Sequence, residues 1–295
     1  MNLDHFGMDT ITLAGPLEAK LRAIREAGFT QVMLNAGDIV GHPAGEQAAI
    51  AAVRASGLRV TGFQVLRDFE GLAGHLHAYK VDVAKAMLRM CSALGSRVLL
   101  ACSSTSAHAA GDAGALAKDL RKLAMLAVPL DIRIAYEALS WGRHVNLLSQ
   151  AWAIVEEADR ANLGLCVDSY HFLANRSAPE AMDEIDPGKV FLVQLSDFMW
   201  QETRSPEDRI ETARHYRVFP GEGVHSDEIV AVVRRLDDLG YRGDYSFEVF
   251  NDDYKQLSLP VVAERARRSV KWITDFVSRR SLPARRVGGG SGPRA

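Results

Sequence analysis

Residues 132–168 read IRIAYEALSWGRHVNLLSQAWAIVEEADRANLGLCVD and hold one complete strand–helix–strand unit. Ile132 to Glu137 is a short apolar run with β-branched and aromatic residues, the composition of a strand, and it ends in an acid. From Leu147 to Ala158 the larger apolar residues fall at 147, 148, 152, 154 and 155, with alanines at 151, 153 and 158, the spacing of a helix with one apolar face. Leu163 to Asp168 is a second apolar run, again closed by an acid. A helical crossover returns the chain to the side it started from, so the two strands are expected to be parallel.

The same alternation extends in both directions. Upstream, His5 to Leu13 reads as a strand, Leu17 to Ala27 as a helix, Phe29 to Leu34 as a strand, Gly45 to Ser56 as a helix and Leu58 to Val65 as a third strand. A long helix from Leu72 to Leu94, a strand from Arg97 to Ala101 and a helix from Asp112 to Leu126 lead into the quoted unit. Downstream come a short helix at Pro179 to Asp183, a strand at Val190 to Leu195, a helix at Asp227 to Leu239, a strand at Tyr245 to Phe250 and a closing helix at Pro260 to Val277. Gly57 and Gly240 stand where two of these helices must stop before a strand, a place that favours the left-handed backbone open to glycine. Strand–helix units at a spacing of about 34 residues, eight in number, close into a (β/α)8 barrel, which is one domain. The competing α/β design is an open doubly wound sheet, but HFGMDTITLAG (5–15) lacks the G-x-G-x-x-G that follows its first strand. The barrel is expected over residues 1–278, followed by a basic, glycine-rich tail over 279–295 that reads as solvated and disordered.

Charge narrows the function. Thirty-five Lys and Arg stand against 37 Asp and Glu, a net charge of −2, and no basic patch outside the tail would release the counterions of a nucleic acid. Neither a bilayer-spanning run nor a signal-peptide pattern is present, so a cytoplasmic protein with no membrane partner is expected. The three cysteines, Cys91, Cys102 and Cys166, lie in or beside apolar runs with no C-x-x-C spacing; they read as reduced, buried thiols rather than as a zinc site or nucleophile. A homo-oligomer is compatible with this composition.

In such a barrel the chemistry sits at the C-terminal ends of the strands. Four polar residues stand there after apolar runs: Glu137, Asp168, Gln194 and Glu248. Each acid alone has an ordinary reading as a loop cap or an arginine partner. On four successive strands they form a set of oxygen donors suited to a divalent cation such as Mg²⁺ or Mn²⁺. His171, three residues after Asp168, is placed in the loop leaving the sixth strand, where an imidazole can move protons. Arg67 in VLRDFEG and Arg217 in RHYRVFPGEG suit bidentate capture of a substrate carboxylate, the alternative for each being a neighbouring acid such as Asp68 or Glu222. His144 and Asn251 are further substrate-binding candidates. His215 and His225 lie within reach of the barrel mouth, and the polar insertion Met199 to Arg214 is a candidate lid.

LRDFEG (66–71), YEALSWGRHVN (136–146), NLGLCVDSYHFLA (162–174), FLVQLSD (191–197), RHYRVFPGEG (214–223) and FEVFND (247–252) resemble the bacterial 3-dehydroshikimate dehydratases, members of the sugar phosphate isomerase/epimerase group of xylose isomerase-like TIM barrels. The resemblance runs from the first strand to the eighth. It implies a lyase that converts 3-dehydroshikimate, a small carboxylate, to protocatechuate. A divalent cation (Mg²⁺, Mn²⁺ or Co²⁺) would be held by Glu137, Asp168, Gln194 and Glu248, with His171 moving the proton and Arg67 and Arg217 holding the substrate. Other members have His where this chain has Gln194. Some relatives continue into a dioxygenase-like domain whose activity is not expected of these 295 residues. The alternative on the same metal-dependent barrel is a sugar or inositol-ketone isomerase, epimerase or dehydratase, and a barrel that only binds a ligand is the other class left open.

Overall fold

The computed structural model describes residues 1–278; the expectation of a disordered tail falls outside the described residues. In chain order the strands are β1 (Phe6–Asp9), β2 (Gln31–Asn35), β3 (Arg59–Arg67), β4 (Val98–Cys102), β5 (Arg133–Glu137), β6 (Leu163–Asp168), β7 (Val190–Leu195), β8 (Asp197–Phe198), β9 (Arg217–Val218) and β10 (Tyr245–Phe247). The helices are α1 (Leu17–Glu26), α2 (Ala36–Val40), α3 (Glu46–Ser56), α4 (Gly74–Ala93), α5 (Ala113–Ala127), α6 (Leu148–Ala158), α7 (Ser169–Ala174), α8 (Pro206–His215), α9 (Ser226–Leu239) and α10 (Leu259–Ser278). Strands β1 to β7 and β10 pair in parallel and close on themselves in the order β1-β10-β7-β6-β5-β4-β3-β2, the expected barrel. Strands β8 and β9 form a separate antiparallel pair above it.

Helix ends follow local chemistry. The α3 helix stops at Gly57, at φ 70°, and α9 at Gly240, at φ 98°, conformations that a β-carbon would strain. Asp112 starts α5 by accepting the Ala115 N–H, and Ser205 and Asp208 cap α8 reciprocally.

Strand alternation divides the core in two. On β6, Leu163, Leu165 and Val167 join the large layer between barrel and helices, while Cys166 joins a small interior cluster with Met33, Val98, Leu100, Ala135 and Leu192. Each inner face thus carries apolar residues lower down and a polar residue at its C-terminal end, because side chains alternate with period two. That phase aims Glu137, Asp168 and Gln194 into the barrel mouth from β5, β6 and β7. Register then sets them abreast: Cys102 is opposite Glu137, Asp168 opposite Gln194, and Gln194 opposite Ser246.

Several boundaries differ from expectation. The first strand stops at Asp9 rather than Leu13, because Thr10–Thr12 turns and the Thr12 hydroxyl donates to Phe247 O at 3.1 Å while accepting the Val249 N–H at 3.0 Å. A threonine side chain thereby does the work of a ladder, which periodicity does not reveal. The short helix at Pro179 is a 3-10 turn ending at Met182, and α2 and α7 were not expected.

Candidate metal and catalytic site

The barrel mouth opens into a cavity of about 700 Å³, counting its open entrance, whose walls include Asn35, Gln64, Arg67, Cys102, Glu137, Trp141, His171, Arg214, Arg217 and Glu248. At its floor Glu137, Asp168 and His171 each bring one potential ligand atom within 4.8 Å of the others. All three are buried. His171 lies in helix α7 rather than a loop. The Asp168 carboxylate caps that helix, accepting the Tyr170 N–H at 2.8 Å, so the chain coils directly after β6 and carries His171 back over the strand end. His171 Nε2 comes to 3.6 Å from Asp168 Oδ2 and 3.9 Å from Glu137 Oε1.

The other ring nitrogen is held by one residue with two functions. Ser140 offers its backbone N–H to His171 Nδ1 at 3.2 Å and its hydroxyl to the same atom at 3.1 Å. The N–H can only donate, so Nδ1 accepts it and the neutral ring carries its proton on Nε2. Burial pushes His171 down to about 3, which keeps the ring neutral in the metal-free protein. Trp141 and Tyr170 set their rings edge-on to it, with centroids 4.9 and 5.3 Å away.

Arg217, on the cavity wall, also engages the acidic cluster. It sits in β9, is 2% exposed, and its Nη1 donates to Asp168 Oδ2 at 2.8 Å and to Glu248 Oε2 at 3.0 Å. Its Nε donates to Ala213 O at 3.0 Å, and the guanidinium lies 4.5 and 5.3 Å from the ring centres of Tyr170 and Phe250. Burial opposes its charge, but the two carboxylates outweigh that and raise its pKa. Its Nη1 and Nε, so engaged, balance the cluster's charge. Glu222, its suggested partner, pairs with Arg265 instead.

Asn251 lies behind Arg217: its Nδ2 donates to Arg217 O at 2.8 Å and its Oδ1 accepts the Tyr254 N–H at 2.9 Å, outside the wall of this cavity. His144 is exposed and donates from Nε2 to Ala109 O at 2.9 Å, outside the cavity wall. His215 pairs with Asp252, and His225 meets Trp200 O, both also outside it. Arg67 does stand on the wall, at the exposed end of β3, while Asp68 turns to Thr105. The insertion after β7 packs as α8, which adds Ala213 and Arg214 to the wall. Arg209 of α8 donates to Ser140 O at 2.9 Å and accepts the Tyr170 hydroxyl at 2.6 Å.

The charge at the floor is unbalanced. Asp9, Glu137, Asp168 and Glu248 are all buried around a single buried guanidinium, Arg217. Burial and then repulsion from Asp168 and Glu248 hold Glu137 well above the ordinary carboxylate range. Burial pushes Glu248 up to about 7 against the pull of Arg217. Glu137 Oε2 accepts from Cys102 Sγ at 2.8 Å, but its buried Oε1 has no partner. An orphaned carboxylate oxygen beside a surplus of negative charge fits a cation position. Gln194 sits deeper: its Nε2 donates to Asp9 Oδ2 at 2.9 Å and its Oε1 accepts from Cys166 Sγ at 3.2 Å. Sequence reasoning missed Asp9 and Gln64 and read Cys102 only as a buried thiol, although the pattern used for β5 to β7 also fits Asp9 at the end of β1 and Cys102 at the end of β4; Gln64 lies three residues before the end of β3.

The sequence profile of the xylose isomerase-like TIM barrel family matches residues 21–276, and the chain belongs to this family. It is 35% identical over 266 residues to the 3-dehydroshikimate dehydratase of Pseudomonas aeruginosa, a match covering 90% of this chain and 41% of that protein. The 3-dehydroshikimate dehydratase of Neurospora crassa is 26% identical over 315 residues, covering 87% of this chain and 88% of its own. A solved xylose isomerase-like TIM barrel/4-hydroxyphenylpyruvate dioxygenase fusion protein superposes with a TM-score of 0.87 at 33% identity, covering 94% of this chain and 43% of that one. The chain thus spans 41% of the length of the bacterial dehydratases it matches.

Proposed function

We propose that this chain is a divalent-metal-dependent 3-dehydroshikimate dehydratase. The observation that carries the reading is the cluster of Glu137, Asp168 and His171, with the unpartnered Glu137 Oε1, on the floor of a cavity that also bears Arg67. The 35% identity to a dehydratase over 90% of the chain supports the substrate. Glu137, Asp168, Glu248 and the carbonyl oxygen of Gln194 would hold the cation. When bound, it supplies electrophilic stabilisation of the charge that develops on the substrate's ketone oxygen.

The chain's own residues supply the remaining steps. Arg67, at the rim, would pair with the substrate carboxylate, and Trp141 covers the ring of His171 from the cavity side. To act as the base, His171 would move its proton from Nε2 to Nδ1, where the Ser140 hydroxyl can accept it once the Ser140 N–H hydrogen bond is given up, and so present a lone pair at Nε2. That atom takes the proton α to the ketone; the C–H electron pair enters the enolate and then expels the β-hydroxyl. The proton on Nε2 passes to the departing oxygen, water leaves, and tautomerisation gives the aromatic ring of protocatechuate.

The test uses metal-stripped protein with Mg²⁺, Mn²⁺ or Co²⁺ restored separately, following 3-dehydroshikimate by ultraviolet absorbance. Cation-dependent appearance of protocatechuate is expected. Folded, cation-loaded protein that forms none would move the substrate to a sugar or inositol ketone.

A further inference from the structure

Asp9 ends β1 with no exposed surface. Its Oδ2 receives two side-chain amides, Gln64 Nε2 at 2.8 Å and Gln194 Nε2 at 2.9 Å, and its Oδ1 meets the Ser246 hydroxyl. No Lys, Arg or His side chain forms an ion pair with it among the described residues. The layer beneath is filled by Met33, Leu100, Ala135 and Leu192, so an apolar residue would suit this depth better than a carboxylate lacking a cation. What the carboxylate adds is orientation. An oxygen that accepts two N–H donors dictates which end of each carboxamide faces it. Gln194 therefore turns its carbonyl oxygen the other way, to where Cys166 meets it at 3.2 Å on the wall shared with Glu137, Asp168 and His171. Gln64, the second amide held by Asp9, stands with Glu248 on the wall of the larger cavity.

We infer that Asp9 is a positioning residue for the cation site: it turns the donor end of the Gln194 carboxamide toward itself and so holds the Gln194 carbonyl oxygen toward the carboxylates. The inference rests on the proposed reading that a divalent cation binds among Glu137, Asp168, Gln194 and Glu248. A carboxamide has a donor end and an acceptor end that differ little in shape, so a partner behind it selects which of them faces the site.

The experiment measures Mn²⁺ binding to the full chain by electron paramagnetic resonance, in the wild type, Asp9→Ala and Asp9→Asn, with thermal unfolding in chelator as a check on folding. Loss of a partner that orients a ligand lowers metal affinity by roughly 10- to 100-fold, the fall expected for Asp9→Ala. Asp9→Asn keeps an acceptor oxygen facing both glutamines and is expected to recover most of that loss. Equal affinity in wild type and Asp9→Ala, or Asp9→Asn as weak as Asp9→Ala, would overturn the proposal. A readout that needs no variant at Asp9 is the Gln194 side-chain NH₂ resonance in ¹⁵N-labelled protein, identified by its loss in Gln194→Met. Slow exchange with solvent is expected. Wild type that binds Mn²⁺ with a freely exchanging Gln194 amide would overturn the role of Asp9 and leave the cation reading standing. A protected amide in wild type that binds no Mn²⁺ would overturn the cation reading and leave the Asp9–Gln194 bond standing.

Discussion

Arg217→Met separates charge from packing at the floor of the barrel. Methionine keeps an apolar stem between Tyr170 and Phe250 but removes the donor to Asp168 at 2.8 Å and Glu248 at 3.0 Å. Both carboxylates are buried, so little water reaches them to replace the guanidinium. Breaking a buried ion pair from one side costs about 3–5 kcal/mol, a large part of the roughly 5–15 kcal/mol that stabilises a domain. With a urea slope near 3 kcal/mol/M, typical of a larger domain, the unfolding midpoint should fall by about 1–2 M in chelator. A cation neutralises the same carboxylates, and at 100 times its Kd adds about 2.7 kcal/mol. Mn²⁺ is therefore expected to raise the midpoint of the variant more than that of the wild type, because the variant has no internal counterion competing for the site. Urea titrations followed by tryptophan fluorescence, in EDTA and in Mn²⁺, measure both shifts. An unchanged midpoint in EDTA would mean that Asp168 and Glu248 do not carry the charge assigned to them, and the argument from a cation-deficient cluster would fail.

Three more outcomes follow from the same geometry. Glu248 has a folded pKa of about 7 against an ordinary 4.5, so the folded state binds its proton more tightly; this contribution is fully present below 4.5 and is lost as pH rises through 7. The chelated protein should accordingly be more stable at pH 5 than at pH 8, by up to about 3 kcal/mol from this group, and urea midpoints of Glu248→Gln should show a flatter profile. His171→Ala is expected to lower turnover by about 10²- to 10⁴-fold while Mn²⁺ still binds; near wild-type turnover would remove the residue from proton transfer. Arg67→Ala should raise KM with little change in kcat, as loss of uniform substrate binding does, and steady-state kinetics showing a change confined to kcat would contradict an anchoring role.

The spacing of apolar runs was enough for the barrel, because eight short strands alternating with helices leave few other ways to bury both faces of a parallel sheet. It was also enough to place Glu137, Asp168, Gln194 and Glu248 at strand ends, since a polar residue closing an apolar run is a local pattern. The same pattern at Asp9 went unread because Thr12 replaces strand pairing beyond it, so the strand looked longer than it is.

The residues alone determined a parallel barrel, the strand-end acids and the proximity of His171 to Asp168, all properties of short-range periodicity. Tertiary structure decided that Arg217 meets Asp168, 49 residues away, that Asn251 donates to the Arg217 carbonyl, and that Asp9 meets the amide of Gln194, 185 residues away. These pairings depend on which strands become neighbours and in what register, and closure of the barrel sets both; no local spacing encodes the partner of a buried charge.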